Sequence, residues 1–244
     1  MQTLIATMVR EDNDYLDEWV EYHLGIGFEH VLIYDHLSTV PVQAKWGDKV
    51  TVKRIDIEFP FPEYIHLKTF RDFKSHWIMV ADVDEFLVLL KHKDIRDLLP
   101  AYDNYGGLSI PWSMYGSSGH IKKPKGLVRN NYLWRTEDTP EPQYVKTIAN
   151  TKFFKRMSDP HFVYSTRPLV NESFEPFTGS LSSSPRQLCK LNHYFTRSYE
   201  EWILKRNRGT GYSGVPTRPK DWFWGVHTGS TVYDPILKDF KLNM

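Results

Sequence analysis

One cysteine, Cys189, stands among 244 residues, which excludes an internal disulfide framework and fits a reducing compartment. No apolar run approaches the roughly 20 residues that a membrane-spanning helix needs. Met1 to Val9 carries no basic segment and runs straight into Arg10-Glu11-Asp12, so no signal peptide is expected. Charge of one sign is lacking too: 31 Lys and Arg against 30 Asp and Glu leave a formal net charge of +1. Such a chain has no global field that demands nucleic acid or an anionic membrane. A glycine-rich phosphate loop is missing, and no G-x-G-x-x-G follows the first strand pattern, which argues against P-loop and dinucleotide sites. There is no internal repeat and no linker. The expectation is one domain over 1–244, cytoplasmic, with peripheral contact at the inner membrane left open.

What is present in excess is aromatic: eight Trp, fourteen Tyr and fourteen Phe, 15% of the chain. Aromatic side chains line sugar and other ring-shaped ligand sites, and they equally build cores. The first half alternates between two periods. Thr3–Val9 reads as a strand, and Asp14 to Ile26 as a helix capped among Asp12, Asn13 and Asp14 and ended by Gly25 and Gly27. His30–Tyr34 and Lys49–Ile57 read as strands, Glu63–Lys74 as a short helix, and Trp77–Ala81 as a fourth strand. That order implies a mostly parallel sheet with crossover helices. The second half is less regular. Gly106–Trp112 and Leu191–Phe195 read as strands, Pro140–Gln143 and Thr166–Pro185 as long connections, and Ser198 with Glu201 as a capping box opening a helix to about Arg206.

The densest signal is Trp77-Ile78-Met79-Val80-Ala81-Asp82-Val83-Asp84-Glu85. A buried-strand run stops at two carboxylates one residue apart, which on a continuing strand would face the same side. Open α/β sheets bind ligands at that edge, and two convergent carboxylates there suit a hard divalent cation and, through it, a phosphate. The competing reading is that the aspartates merely punctuate a turn. Glu85 would point the other way, into a supporting contact or a salt bridge.

Further motifs accompany this one: Arg10-Glu11-Asp12 before Tyr15–His23, Gly27–Asp35, Gly116-Ser117-Ser118-Gly119-His120, Val145–Ile148, and Leu191-Asn192-His193-Tyr194 before Glu200-Glu201-Trp202. In this order and spacing, over roughly residues 3 to 210, the chain resembles the glycosyltransferase family 2-like and family 92 group. The resemblance implies an α/β GT-A (Rossmann-like) fold: a mostly parallel central sheet with flanking helices and an irregular acceptor-side half. Residues 1–112 would form the nucleotide-sugar half and 113–244 the acceptor half. The implied reaction is transfer of a sugar, with inversion, from a nucleotide-diphosphate donor, UDP-sugar first, to a glycan or lipid-linked saccharide acceptor. The implied cofactor is Mn²⁺ or Mg²⁺ on Asp82 and Asp84, with His193 completing the shell. Arg10, Glu11 and Asp35 would contact the nucleoside.

Several roles stay open among alternatives. Arg206 and Arg208 can reach phosphates or simply complement a helix end. Glu201 is the first candidate for the general base, with Glu137 and Asp138 behind it, and a capping role competes for Glu201. His120, Trp112, Trp222 and Trp224 are candidates for substrate contact, with Tyr115 and His161 as further contenders. Two other functions remain alongside: a metal-dependent phosphoesterase, which usually wants a denser His and Asp cluster, and a non-catalytic carbohydrate-binding protein.

Overall fold

The computed structural model describes residues 2–58, 61–210 and 218–240. Its first half is the expected α/β alternation. Strand β1 (Thr3–Val9) leads to helix α1 (Leu16–Gly25), β2 (His30–His36), β3 (Val50–Ile55), α2 (Pro62–Asp72) and β4 (Trp77–Val80). The four strands lie parallel in the order β3-β2-β1-β4. Period-two alternation sorts their side chains onto two faces. Ile5, Val31, Ile33, Trp77 and Met79 pack on one side with Leu16, Trp19 and Val20 of α1. Leu4, Leu32, Tyr34, Ile78 and Val80 pack on the other with Ile65 of α2. Gly27, at φ +99°, turns the chain out of α1, where a side chain would collide with Asp94.

The sheet then departs from the sequence reading. Next to β4 lies an antiparallel strand, β7 (Gln143–Asn150), and beyond it β6 (Gly107–Met114). Strand β7 has no clear sequence signal, because Lys146 and Thr147 interrupt its apolar pattern although both are buried. A smaller layer joins β5 (Glu85–Leu89) to β8 (Cys189–His193), antiparallel to each other, and β8 to β6 in parallel. The stretch expected as a long connection over 166–185 contains two-residue strands, among them Leu169–Val170, which extends the sheet past β6. Ser198 caps α3 (Tyr199–Asn207) with the full reciprocal capping box. The segment with Trp222 and Trp224 is a helix, α4 (Asp221–Gly229). No described helix is long and apolar enough to cross a membrane.

Helix α1 docks through polar atoms as well as apolar ones. The Trp19 indole donates to the Glu85 carbonyl at 2.8 Å and the Tyr22 hydroxyl to the Leu87 carbonyl at 2.7 Å. His23, between them, is fully buried with Nδ1 on the Trp19 carbonyl at 2.8 Å. Burial lowers its pKa to about 3, outweighing that hydrogen bond. The folded protein therefore holds His23 neutral, while the unfolded chain takes up a proton below its ordinary value near 6.5, so this contribution to stability is lost as pH falls. Relative to His23→Gln, the wild type should lose about 1.4 kcal/mol per pH unit below pH ~6.5. Urea denaturation of both proteins at several pH values checks it, and parallel stability curves would refute it.

Candidate functional site

A cavity of about 380 Å³ opens at the carboxyl edge of the parallel strands, lined by Met8 to Arg10 at the end of β1, His36 of β2 and Asp82 to Asp84 after β4. That is the edge where open α/β sheets place ligands. Trp112 of β6, Lys146 of β7, His193 of β8, Lys205, Arg208 and Arg218 also line it.

Asp82 and Asp84 lie not on a strand but in the tight turn between β4 and β5, closed by the Glu85 N–H donating to the Asp82 carbonyl at 2.9 Å. They form a turn, as the competing reading had it, and both aspartates line the cavity. In return, the Asp82 N–H donates to Glu85 Oε2 at 2.9 Å. Glu85 is fully buried and meets Lys146 Nζ at 3.4 Å, and the same ammonium donates to Asp82 Oδ2 at 3.1 Å. Burial pushes Glu85 up to about 8 against the pull of Lys146. At Asp82 the balance reverses: burial opposes ionisation, but Lys146 holds the carboxyl below the ordinary range. The Asp82 side chain stays 56% exposed toward the cavity.

Asp84 is buried and meets an ammonium and an imidazole. Lys205 Nζ donates to its Oδ2 at 2.5 Å, and His193 Nε2 stands 3.5 Å from its Oδ1. Burial opposes its charge, yet Lys205 and then His193 keep the carboxyl well below the usual range. His193 in turn packs against Trp112, with ring centroids 4.3 Å apart, and Trp112 meets His161 at 5.2 Å. His161 holds Nδ1 on the Val145 carbonyl at 2.9 Å, which leaves Nε2 as the other ring nitrogen. Burial, reinforced by Lys146, lowers this imidazole to about 4.

Of the residues singled out from the sequence, the fold brings Arg10, Asp82, Asp84, Trp112, His161, His193 and Arg208 to one cavity. The others stand elsewhere. Glu201 is consumed by structure: it accepts from Ser198, Tyr15 and Tyr132, and those hydrogen bonds outweigh burial to keep it ionised. Asp138 pairs with Arg135 and Arg186 and accepts from Ser113, and Glu137 is exposed outside the cavity. Asp35 ties the loop after β2 through Ser38, Val42 and Arg54. Glu11 accepts from Thr39, and Arg206 donates to the Arg218 carbonyl. His120 stays in its loop on the Asn131 carbonyl at 3.3 Å. Trp222 and Trp224 are half exposed on α4, apart from the cavity lining. Sequence reasoning missed Lys146, Lys205 and Arg218. For Lys146 the trace was its place inside an otherwise apolar run, and for Lys205 its position in the helix that Ser198 caps.

The donor set fits a divalent cation of the open kind. Among the described residues no three His, Cys, Asp or Glu side chains form an enclosing cluster. Ions bound through one or two carboxylates take their remaining positions from water and substrate phosphates, and Asp82 and Asp84 offer that arrangement, with His193 beside them.

Lys146 is the ion-pair partner of Asp82 and a buried polar partner of Glu85, whose raised pKa lets it stay protonated when the ammonium is removed. Lys146→Met should therefore cost about 1–3 kcal/mol of stability, the cost of a lost buried hydrogen-bond partner. Equilibrium urea denaturation measures it, and an unchanged midpoint in Lys146→Met would overturn the assignment.

No protein-family model matches the chain. Curated relatives do. A glycosyltransferase family 92 protein of Oryza sativa subsp. japonica is 23% identical over 97% of this chain and 43% of its own length. A glycosyltransferase family 92 protein of Ricinus communis is 26% identical over 96% of this chain and 41% of its own. Among solved structures, TarS residues 1–349 of S. aureus in complex with UDP-GlcNAc aligns with a TM-score of 0.46 and 13% identity, covering 82% of this chain and 61% of that one. The chain spans about two-fifths of the length of the curated relatives it matches. Over nearly its whole length the chain is similar to proteins named as family 92 glycosyltransferases, the group its motifs resemble.

Proposed function

We propose that this chain is a glycosyltransferase domain that moves a sugar from a nucleotide diphosphate, UDP first, to a hydroxyl of a saccharide acceptor, with inversion. The observation that carries this reading is the cavity at the sheet's carboxyl edge, where the Asp82–Asp84 turn faces Lys205, Arg208 and Arg218. An acidic pair opposite a basic wall suits an anion that arrives with a divalent cation. Mn²⁺ or Mg²⁺ held by Asp82 and Asp84, with His193 adjoining, would supply charge stabilisation to the leaving diphosphate. A phosphoesterase relying on two metals is less well served, since no dense His and Asp cluster stands among the described residues.

The chain's own residues supply the rest. The acceptor oxygen attacks the anomeric carbon, and the bond from that carbon to the diphosphate oxygen breaks with its electron pair going to the diphosphate. The hydroxyl proton needs an acceptor within hydrogen-bond reach. His161 fits that role on the acceptor side. It lines the cavity, it is neutral, its tautomer is set by the Val145 carbonyl, and Trp112 alone separates it from His193. Asp159 also lines the cavity, but its carboxylate already accepts from the His161 and Phe162 N–H groups and from Ser180. Trp112 with Tyr144, at 5.3 Å, offers the flat face on which a sugar ring can lie.

Titration calorimetry of UDP with and without Mn²⁺ tests the donor site. The wild type should bind only with metal, and Asp84→Asn should weaken binding by about tenfold or more. A wild type silent to UDP and other nucleotides, yet binding free glycan, would instead make it a carbohydrate-binding protein. For the base, His161→Ala should lower transfer by about 100-fold or more. Its UDP affinity should stay within about threefold of wild type, a change below 1 kcal/mol. Equal loss of binding and rate would remove His161 from the chemistry.

A further inference from the structure

Asp84 is claimed twice. A divalent cation in this cavity needs its carboxylate, and the Lys205 ammonium already donates to Oδ2 at 2.5 Å. Lys205 has a second bond to the Phe195 carbonyl at 2.9 Å and lies 4.7 Å from the centroid of that ring. An ammonium has three N–H donors, so the third is without a partner among the described residues, on a side chain that lines the cavity. Its surroundings are fixed through backbone. Arg218 Nη1 donates to the Lys205 and Gly209 carbonyls, and Arg208 Nη1 to Asp12 and the Arg10 carbonyl. The wall of cations is thus anchored, with one donor to spare beside the acidic turn.

We propose that Lys205 is the protein's own cation for the donor diphosphate and competes with the divalent metal for Asp84, so that metal and nucleotide load the cavity together. This inference rests on the glycosyltransferase reading. A metal ion approaching alone meets a positive charge already seated on its ligand. A diphosphate carries enough negative charge to satisfy both, accepting from the free N–H and drawing the ammonium off Asp84. Two ligands that each ease the other's entry are coupled, and the coupling is reciprocal.

Titration calorimetry with Mn²⁺ alone, and with UDP at saturating Mn²⁺, separates the two roles. Lys205→Met keeps the aliphatic stem and removes the charge. It should bind Mn²⁺ alone about tenfold more tightly and UDP about tenfold more weakly than wild type, opposite shifts of one decade each. Lys205→Gln, which can still donate to Asp84, should show the same two signs and serves if the Met variant does not fold. Unchanged or weaker Mn²⁺ binding overturns the competition, and unchanged UDP binding overturns the diphosphate contact. A wild type that binds no UDP with Mn²⁺ defeats the glycosyltransferase reading itself. UDP binding shared equally by wild type and variant defeats only the inference about Lys205.

Discussion

The rest of this site depends on one buried ammonium. Lys146 sits with no exposure between Asp82 and Glu85, 3.1 Å from the first carboxylate and 3.4 Å from the second. A buried ion pair is weak evidence of stability, because desolvation cancels much of the attraction. Its consequence here is geometric. The ammonium ties the β4–β5 turn to the antiparallel strand β7 and so draws the irregular half of the chain against the parallel half. Glu85 faces inward because Lys146 is there to meet it, and Asp82 is thereby left facing the cavity.

Around that contact the cavity is balanced rather than acidic. Asp82, Asp84, Asp12 and Asp159 line it together with Arg10, Lys146, Lys205, Arg208 and Arg218. Most of these charges are paired across elements, as Asp12 is with Arg197 and Arg208. A site built this way has little to gain from a lone cation or a lone anion, each of which breaks a pair. It gains from a ligand that brings both signs at once, which a metal-bound diphosphate does.

The parallel half was legible in the sequence because its signals are local. Short apolar runs in β1, β2 and β4, the helical period of α1, and the Ser198–Glu201 box each occupy a few consecutive residues, and each formed where expected. The place of the D-x-D after β4 was legible for the same reason, although the turn that holds it was taken for a strand end. What could not be read was compensation. Lys146 is 64 residues from Asp82 and Lys205 is 121 from Asp84, and nothing in a one-dimensional pattern pairs them. The same blindness hid what Glu201 is bound to. Glu201 has the right chemistry and a cap to position it, yet Tyr15, 186 residues away, and Tyr132 close over its oxygens.

The span of these ion pairs bears on how the chain acquires its site during synthesis. The parallel strands can pair as soon as Val80 is available, but the Asp82 carboxylate has no Lys146 until β7 arrives and Asp84 has no Lys205 until α3 does. Contacts of such long sequence separation are the slow part of folding. Until they close, an acidic turn sits uncompensated at the rim of a nearly finished sheet, and solvent rather than protein must carry its charge. The cavity is therefore a late product of folding, completed from the carboxyl-terminal side, and a ribosome-bound chain ending before α3 holds the framework of the site without its basic wall.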